Sequence, residues 1–112
     1  MIVVLAGPGP AQESAAYRIH VANAEAYFEQ GDFGHAVREY EKAYDVAPEP
    51  KSLRLVYNMA YCQEQAGARN AARRLYEEFL RLADPADPKN QKGIPHAHEL
   101  VRAEGAVPPA YE

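Results

Sequence analysis

Two stretches of the chain repeat one another at a constant offset. Ala24, Gly31, Ala36 and Tyr40 are matched by Ala60, Gly67, Ala72 and Tyr76, each pair 36 positions apart. Tyr44 against Leu80, and the stop at Pro48 against that at Asp84-Pro85, keep the same phase. Self-similarity at a fixed period of roughly 20–50 residues marks a stacked array of supersecondary units. Such arrays build extended surfaces for partners, and chemistry is not their usual business.

The period of the apolar positions says what each unit contains. Helical spacing is expected over residues 14–30, with Ala16, Ile19, Ala24, Tyr27 and Phe28 on one face. Gly31-Asp32 ends that helix, because Gly suits the left-handed position after a helix and Asp caps the next one. A second helix is expected over 33–46, with Ala36, Val37, Tyr40, Ala43 and Tyr44 inward, and Pro48-Glu49-Pro50 stops it. A third is expected over 51–65, around Leu55, Val56, Met59, Ala60 and Cys62. After the turn at Ala66-Gly67-Ala68, a fourth is expected over 69–83, with Ala72, Leu75, Tyr76, Phe79, Leu80 and Leu82. A double breaker follows at Asp84-Pro85-Ala86-Asp87-Pro88. Gly93 and Pro95 break the pattern again, and 95–104 is read as a short helix contributing Leu100 and Val101. No stretch alternates with period two for long, so no sheet is expected. The fold class is therefore all-α: two antiparallel helix pairs plus a short C-terminal capping helix.

The details resemble the tetratricopeptide repeat. In the first unit Ala24, Tyr27, Ala36, Tyr40, Ala43 and Pro48 fit that family's pattern; in the second, Asn58-Met59-Ala60, Gly67, Ala72 and Tyr76 do. The resemblance covers about residues 17–85, with units at 17–50 and 53–86 inside a domain of 14–104 and a capping helix at about 95–104. The family period is usually about 34, and the longer repeat here is attributed to the Pro48-Glu49-Pro50 connection. His20 and Asn23 stand where the family prefers large apolar residues, Gln63 replaces the expected Tyr, and Phe79 replaces Ala. The chain also looks like short repeat proteins common in myxobacteria and related bacteria, many of them exported. The physical logic runs in parallel: facing alanines let helices approach closely and tyrosines fill the gap beside them. A Leu at Ala36 or Ala72 is expected to overpack that seam, at typically about 1–3 kcal/mol.

The resemblance implies a function. In that family the first helix of each pair lines a concave groove that holds an extended or helical segment of another protein. By position the groove residues are Arg18, Val21, Glu25 and Phe28 in the first unit, and Arg54, Tyr57, Asn58, Tyr61 and Glu64 in the second. Tyr57, Tyr61 and Phe28 would bury apolar contact while Arg18, Arg54 and Asn58 orient acids or backbone of the partner. The bland alternative is that these are ordinary exposed residues, and that Asn58 makes only a local bond between helices. Some members grip a C-terminal carboxylate with a Lys/Asn/Asn/Lys/Arg clamp. Asn58 matches one Asn, but Ala22 stands at the other and the third-unit cations have no counterpart.

A rival reading is self-assembly. About three repeats are normally needed for stability, so Phe79, Leu80 and Leu82 need cover, either from Leu100 and Val101 or from a second protomer. Arg69, Arg73, Glu77 and Arg81 recur every four residues and, with Arg74, make a mildly basic face. Glu39, Glu41 and Asp45 make the matching helix of the first unit acidic, a pairing that suits head-to-tail stacking, although a self-neutralising solvated face is the plainer reading of such charges.

Composition narrows the remaining classes. A net charge of −4 is unlike the basic stripe of a nucleic-acid binder. No segment approaches the roughly 20 apolar residues of a membrane span. There is no Thr, and Ser14 and Ser52, the only Ser residues, sit near expected helix starts where capping explains them. Neither a phosphate-binding Gly-rich loop nor an H-E-x-x-H pattern is present. No catalytic residue, cofactor or enzyme activity is expected. His96 and His98 are two apart, which diverges on a helix, so no metal site is expected either. The lone Cys62 has no cation within one helical turn and reads as a small buried hydrophobe. Residues 1–13 are read either as a flexible arm or as the remnant of a longer signal sequence, which would place the protein in the periplasm or cell envelope rather than the cytoplasm. Residues 105–112 are read as a C-terminal tail.

Overall fold

The computed structural model describes residues 14–105; the N-terminal arm and residues 106–112 of the tail lie outside the described residues. Among the described residues the protein is all-α. Five α-helices pack as sequential antiparallel pairs: α1 (Ala15–Glu29), α2 (Phe33–Val46), α3 (Leu53–Gln65), α4 (Arg69–Leu82) and α5 (Gly93–Gly105). A 3₁₀ turn, Pro88–Asn90, precedes α5. The chain divides into two compact units, Met1–Ser52 and Leu53–Glu112.

In the first unit α1 starts where Ser14 accepts a hydrogen bond from the Tyr17 amide at 3.1 Å, and α2 where Asp32 accepts one from the His35 amide at 3.3 Å. Each bond satisfies an amide that the first turn leaves without a helical partner. Between the two helices Gly31 adopts φ +78. Its amide donates to the Phe28 carbonyl at 2.9 Å, and the Asp32 amide reaches back to Tyr27 at 2.9 Å. This is the paired closure in which a left-handed residue lets the chain satisfy two orphan carbonyls and reverse direction. Tyr27 stacks on His35 and Phe28 meets Phe33 edge-on, both at 5.1 Å between centroids. Ala24, Ala36 and Ala43 are completely buried, as alanines on a close helix seam must be.

Polar residues on α1 are answered by α2. His20 Nδ1 lies 2.8 Å and Asn23 Nδ2 3.2 Å from Glu39 Oε1, while Lys42 Nζ donates to Oε2 at 3.2 Å. His20 and Asn23 thus both find a partner on α2. Ile19, read as part of the inward face, is instead 57% exposed, because Tyr17 and Ala24 are the residues α1 buries.

The expected start of the third helix at 51 is corrected to Leu53. Lys51 serves the end of α2 instead: its ammonium donates to the carbonyls of Tyr44 at 2.6 Å and Ala47 at 3.2 Å, and lies 4.6 Å from the Tyr44 ring centroid. A cation there adds a donor to the last carbonyls of the helix and complements the negative end of its dipole.

The second unit repeats the turn. Gly67 has φ +86, its amide donates to Glu64 at 3.0 Å, and the Ala68 amide reaches Gln63 at 2.9 Å. Ala60 and Ala72 are fully buried, as are Val56, Cys62 and Tyr76. Arg73 pairs with Glu77 at 3.3 Å along α4. Of the residues expected to need cover, Phe79 is buried and Leu82 is 48% exposed. α5 packs on α4 through Ala97 and Leu100, both buried. It starts at Gly93, not at the expected 95, because Pro95 in the first turn removes an amide that would have no helical acceptor.

Candidate functional site

The second unit contains a cavity of about 510 Å³. Leu53, Arg54, Tyr57 and Asn58 line it from α3, and Phe79 from α4. Asp87, Lys89 and Asn90 line it from the 3₁₀ turn, and Lys92 and Gly93 from the start of α5. Spacing explains the α3 contribution: positions 54, 57 and 58 fall on one helical face. The burial pattern separates floor from rim. Phe79 is buried and Leu53 and Tyr57 are half-buried, while Arg54, Lys89 and Lys92 are exposed.

The wall opposite α3 is built by short-range bonds. Asp84 Oδ1 accepts from the Ala86 amide and Asp87 Oδ1 from the Lys89 amide, each at 2.9 Å. The buried Asn90 donates from Nδ2 to the Asp84 carbonyl at 3.0 Å, tying the turn to the end of α4. Aspartate before proline is well suited to such side-chain-to-backbone closures. Gly93 then passes so close to the floor that a Cβ added there would come within 2.9 Å of Tyr57 and 3.1 Å of Phe79.

Behind the floor lies an aromatic cluster. Tyr57 meets Phe79 at 5.1 Å and Tyr76 at 5.5 Å between centroids, both edge-on. His96 from α5 packs against Tyr76 at 5.5 Å, Tyr61 at 6.0 Å and Tyr57 at 6.5 Å. Glu64 Oε1 accepts the Tyr76 hydroxyl proton at 2.8 Å and lies 2.8 Å from His96 Nε2. An ionised carboxylate only accepts, so Nε2 is the protonated nitrogen in this contact. Burial, and then the bond and charge of Glu64, hold the Tyr76 phenol well above the ordinary range. Burial also raises Tyr57. Cys62, with no exposed surface, is pushed up to about 11 by burial.

The expected groove residues therefore divide. Arg54, Tyr57 and Asn58 share the cavity. Tyr61 and Glu64 face the His96 cluster, where their side chains hold α5. Arg18, Val21, Glu25 and Phe28 belong to the first unit and none of them lines the cavity; Arg18 is exposed, Val21 and Glu25 are half-buried, and Phe28 packs on Phe33. Lys89, Asn90 and Lys92 are given no role by the sequence, Gly93 only that of a break, and His96 only that of a metal ligand judged against. The only local hint was two lysines three apart in a predicted break. Among the described residues no cluster of three or more His, Cys, Asp or Glu is placed to hold a metal ion. Nor is any described helix long and apolar enough to cross a membrane. No protein-family model matches the chain, and no curated protein matches it.

Proposed function

We propose that the chain is a tetratricopeptide-like interaction module whose second unit receives a segment of a partner protein at this cavity. The observation that carries the reading is the convergence of Arg54, Tyr57 and Asn58, chosen by their position on α3, on one recess with an apolar floor and polar rim. Recesses of about 300–1,000 Å³ with a few placed polar groups are the usual form of a binding site. The repeat-like construction is supported by the paired glycine turns at Gly31 and Gly67 and by buried alanines at Ala24, Ala36, Ala60 and Ala72. The role is binding; no catalytic step is assigned.

Selection of a random peptide library on the full chain, counter-screened on Arg54→Glu/Asn58→Ala, tests this. Peptides that bind the wild type and lose at least about tenfold on the variant support it. Peptides that bind both alike, or no selection at all, refute it.

A second reading, assembly with further copies, draws on the charge distribution. Met1–Ser52 carries four Lys/Arg against eight Asp/Glu, and Leu53–Glu112 eight against eight. The whole net charge of −4 thus falls on the first unit. Sedimentation over a concentration series decides: a monomer throughout the micromolar range removes this reading.

A further inference from the structure

We infer that the cavity of the second unit selects an acidic peptide segment, one in which a bulky apolar side chain is flanked by Asp or Glu. The inference rests on the peptide-binding reading above and goes beyond it by fixing the chemistry of the partner.

The charge inventory of the lining points that way. Three cations, Arg54, Lys89 and Lys92, stand against one acid, Asp87. Asp87 already uses Oδ1 on the Lys89 amide, 2.9 Å away. The cations come from three separate places, namely α3, the 3₁₀ turn and the residue before α5. Neither Lys89 nor Lys92 forms an ion pair among the described residues, and both are exposed. An acidic segment crossing the mouth would meet the exposed ammonium groups of Lys89 and Lys92.

The floor sets the second requirement. Leu53, Tyr57 and Phe79 offer aliphatic and aromatic surface, which a free anion would leave in contact with water. An apolar side chain inserted there is removed from water, and its neighbouring carboxylates remain at the rim. Asn58 stands at the same opening with amide donors and acceptor for a peptide backbone. A nucleic acid suits the site less well. Its cations form no stripe along which a phosphate backbone could run.

The test uses the full ¹⁵N-labelled chain and the synthetic peptide acetyl-Glu-Glu-Phe-Glu-Glu-amide. Companion peptides carry Ala for Phe, Gln for every Glu, or Lys for every Glu. The expected result is saturable shifts of the Gly93 amide and the Asn58 side-chain amide with the acidic Phe peptide. The Ala and Lys companions should bind at least about tenfold more weakly. Raising salt from 50 to 500 mM should weaken binding, because exposed charges are screened. Lys89→Glu/Lys92→Glu, two exposed positions whose exchange should leave the circular dichroism unchanged, should reverse the order of the Glu and Lys peptides.

Equal binding of the Glu, Gln and Lys peptides at these resonances overturns the acidic assignment while leaving peptide binding intact. No shift with any peptide, together with a failed library selection, overturns both. Equal shifts with inorganic phosphate alone would mean a plain anion site, and concentration-dependent shifts without peptide would mean a second copy occupies the cavity; either overturns the inference.

Discussion

His96 and Glu64, 32 positions apart in the chain, meet at 2.8 Å, and the Tyr76 hydroxyl closes on the same carboxylate oxygen. Three helices of the second unit are joined at one acceptor. Two of the three residues stand on the α3–α4 pair that the apolar spacing predicts; the third comes from beyond the proline-rich break.

Tyr76→Phe is expected to destabilise the second unit by about 1.5–3 kcal/mol, the usual worth of a hydrogen bond to a charged group. Urea unfolding monitored by circular dichroism checks the value. The same phenol makes the unit sensitive to alkali. Its folded-state pKa lies above the ordinary 10.0, so above pH 10 the unfolded chain loses a proton that the folded one keeps. Stability is then fully present below pH 10 and falls as pH rises beyond it. Tyr76→Phe should flatten that decline.

The first unit should respond at the other end of the scale. Hydrogen bonds from His20 first, then Asn23 and Lys42, bring Glu39 down from 4.5 to about 2. Between those values the unfolded chain binds a proton that the folded one refuses, so stability is present above pH 4.5 and is lost as pH falls toward 2. Glu39→Gln should remove most of this slope in an acid titration of urea midpoints; an unchanged slope would show that other carboxylates govern it.

Ala68 and Asp32 occupy the same place before α4 and α2, with φ/ψ of −88/74 and −91/76. Asp32 caps its helix, whereas Ala68 offers no side-chain acceptor. Ala68→Asp is therefore expected to raise stability by about 1 kcal/mol and Asp32→Ala to lower it by a similar amount. Thermal melts of both variants beside the wild type provide the check.

Gly93→Leu should fill the recess beside Tyr57 and Phe79. The ring of Tyr57 is held among Tyr76, Phe79 and His96, so it has little room to yield. A loss of about 1–3 kcal/mol is expected from overpacking, together with loss of peptide binding. Calorimetry and the peptide titration read the two effects separately.

The helical hairpins could be read in advance because their signals are local. The bounds of α2 and the turn at Gly31-Asp32 follow from apolar spacing, a capping side chain and a left-handed glycine, all within a few residues. The stretch from Asp84 to Pro95 resisted for the opposite reason. Its prolines and Gly93 mark breaks, but the order they bound is made by Asn90 reaching back to Asp84 and by Gly93 lying on Tyr57. Half of the cavity lining comes from that stretch, so only Arg54, Tyr57 and Asn58 were legible, by their place on α3. Tyr61 and Glu64 share their face, yet the approach of His96 gives them a different task. Periodicity likewise placed Ile19 inward but says nothing about where a neighbouring helix stops covering it.

Beyond the adjoining residues, no atom lies within 4 Å of a Cβ built on Gly31 or Gly67, so space does not demand glycine at either turn. What demands it is handedness alone, since φ is +78 at one and +86 at the other. The chirality of a single carbon is thus the whole obstacle to substitution, and semisynthesis with D-alanine would address it directly: a mirror-image residue relaxes into this backbone geometry, and the freedom it takes from the unfolded chain should make both hairpins firmer than nature's achiral solution.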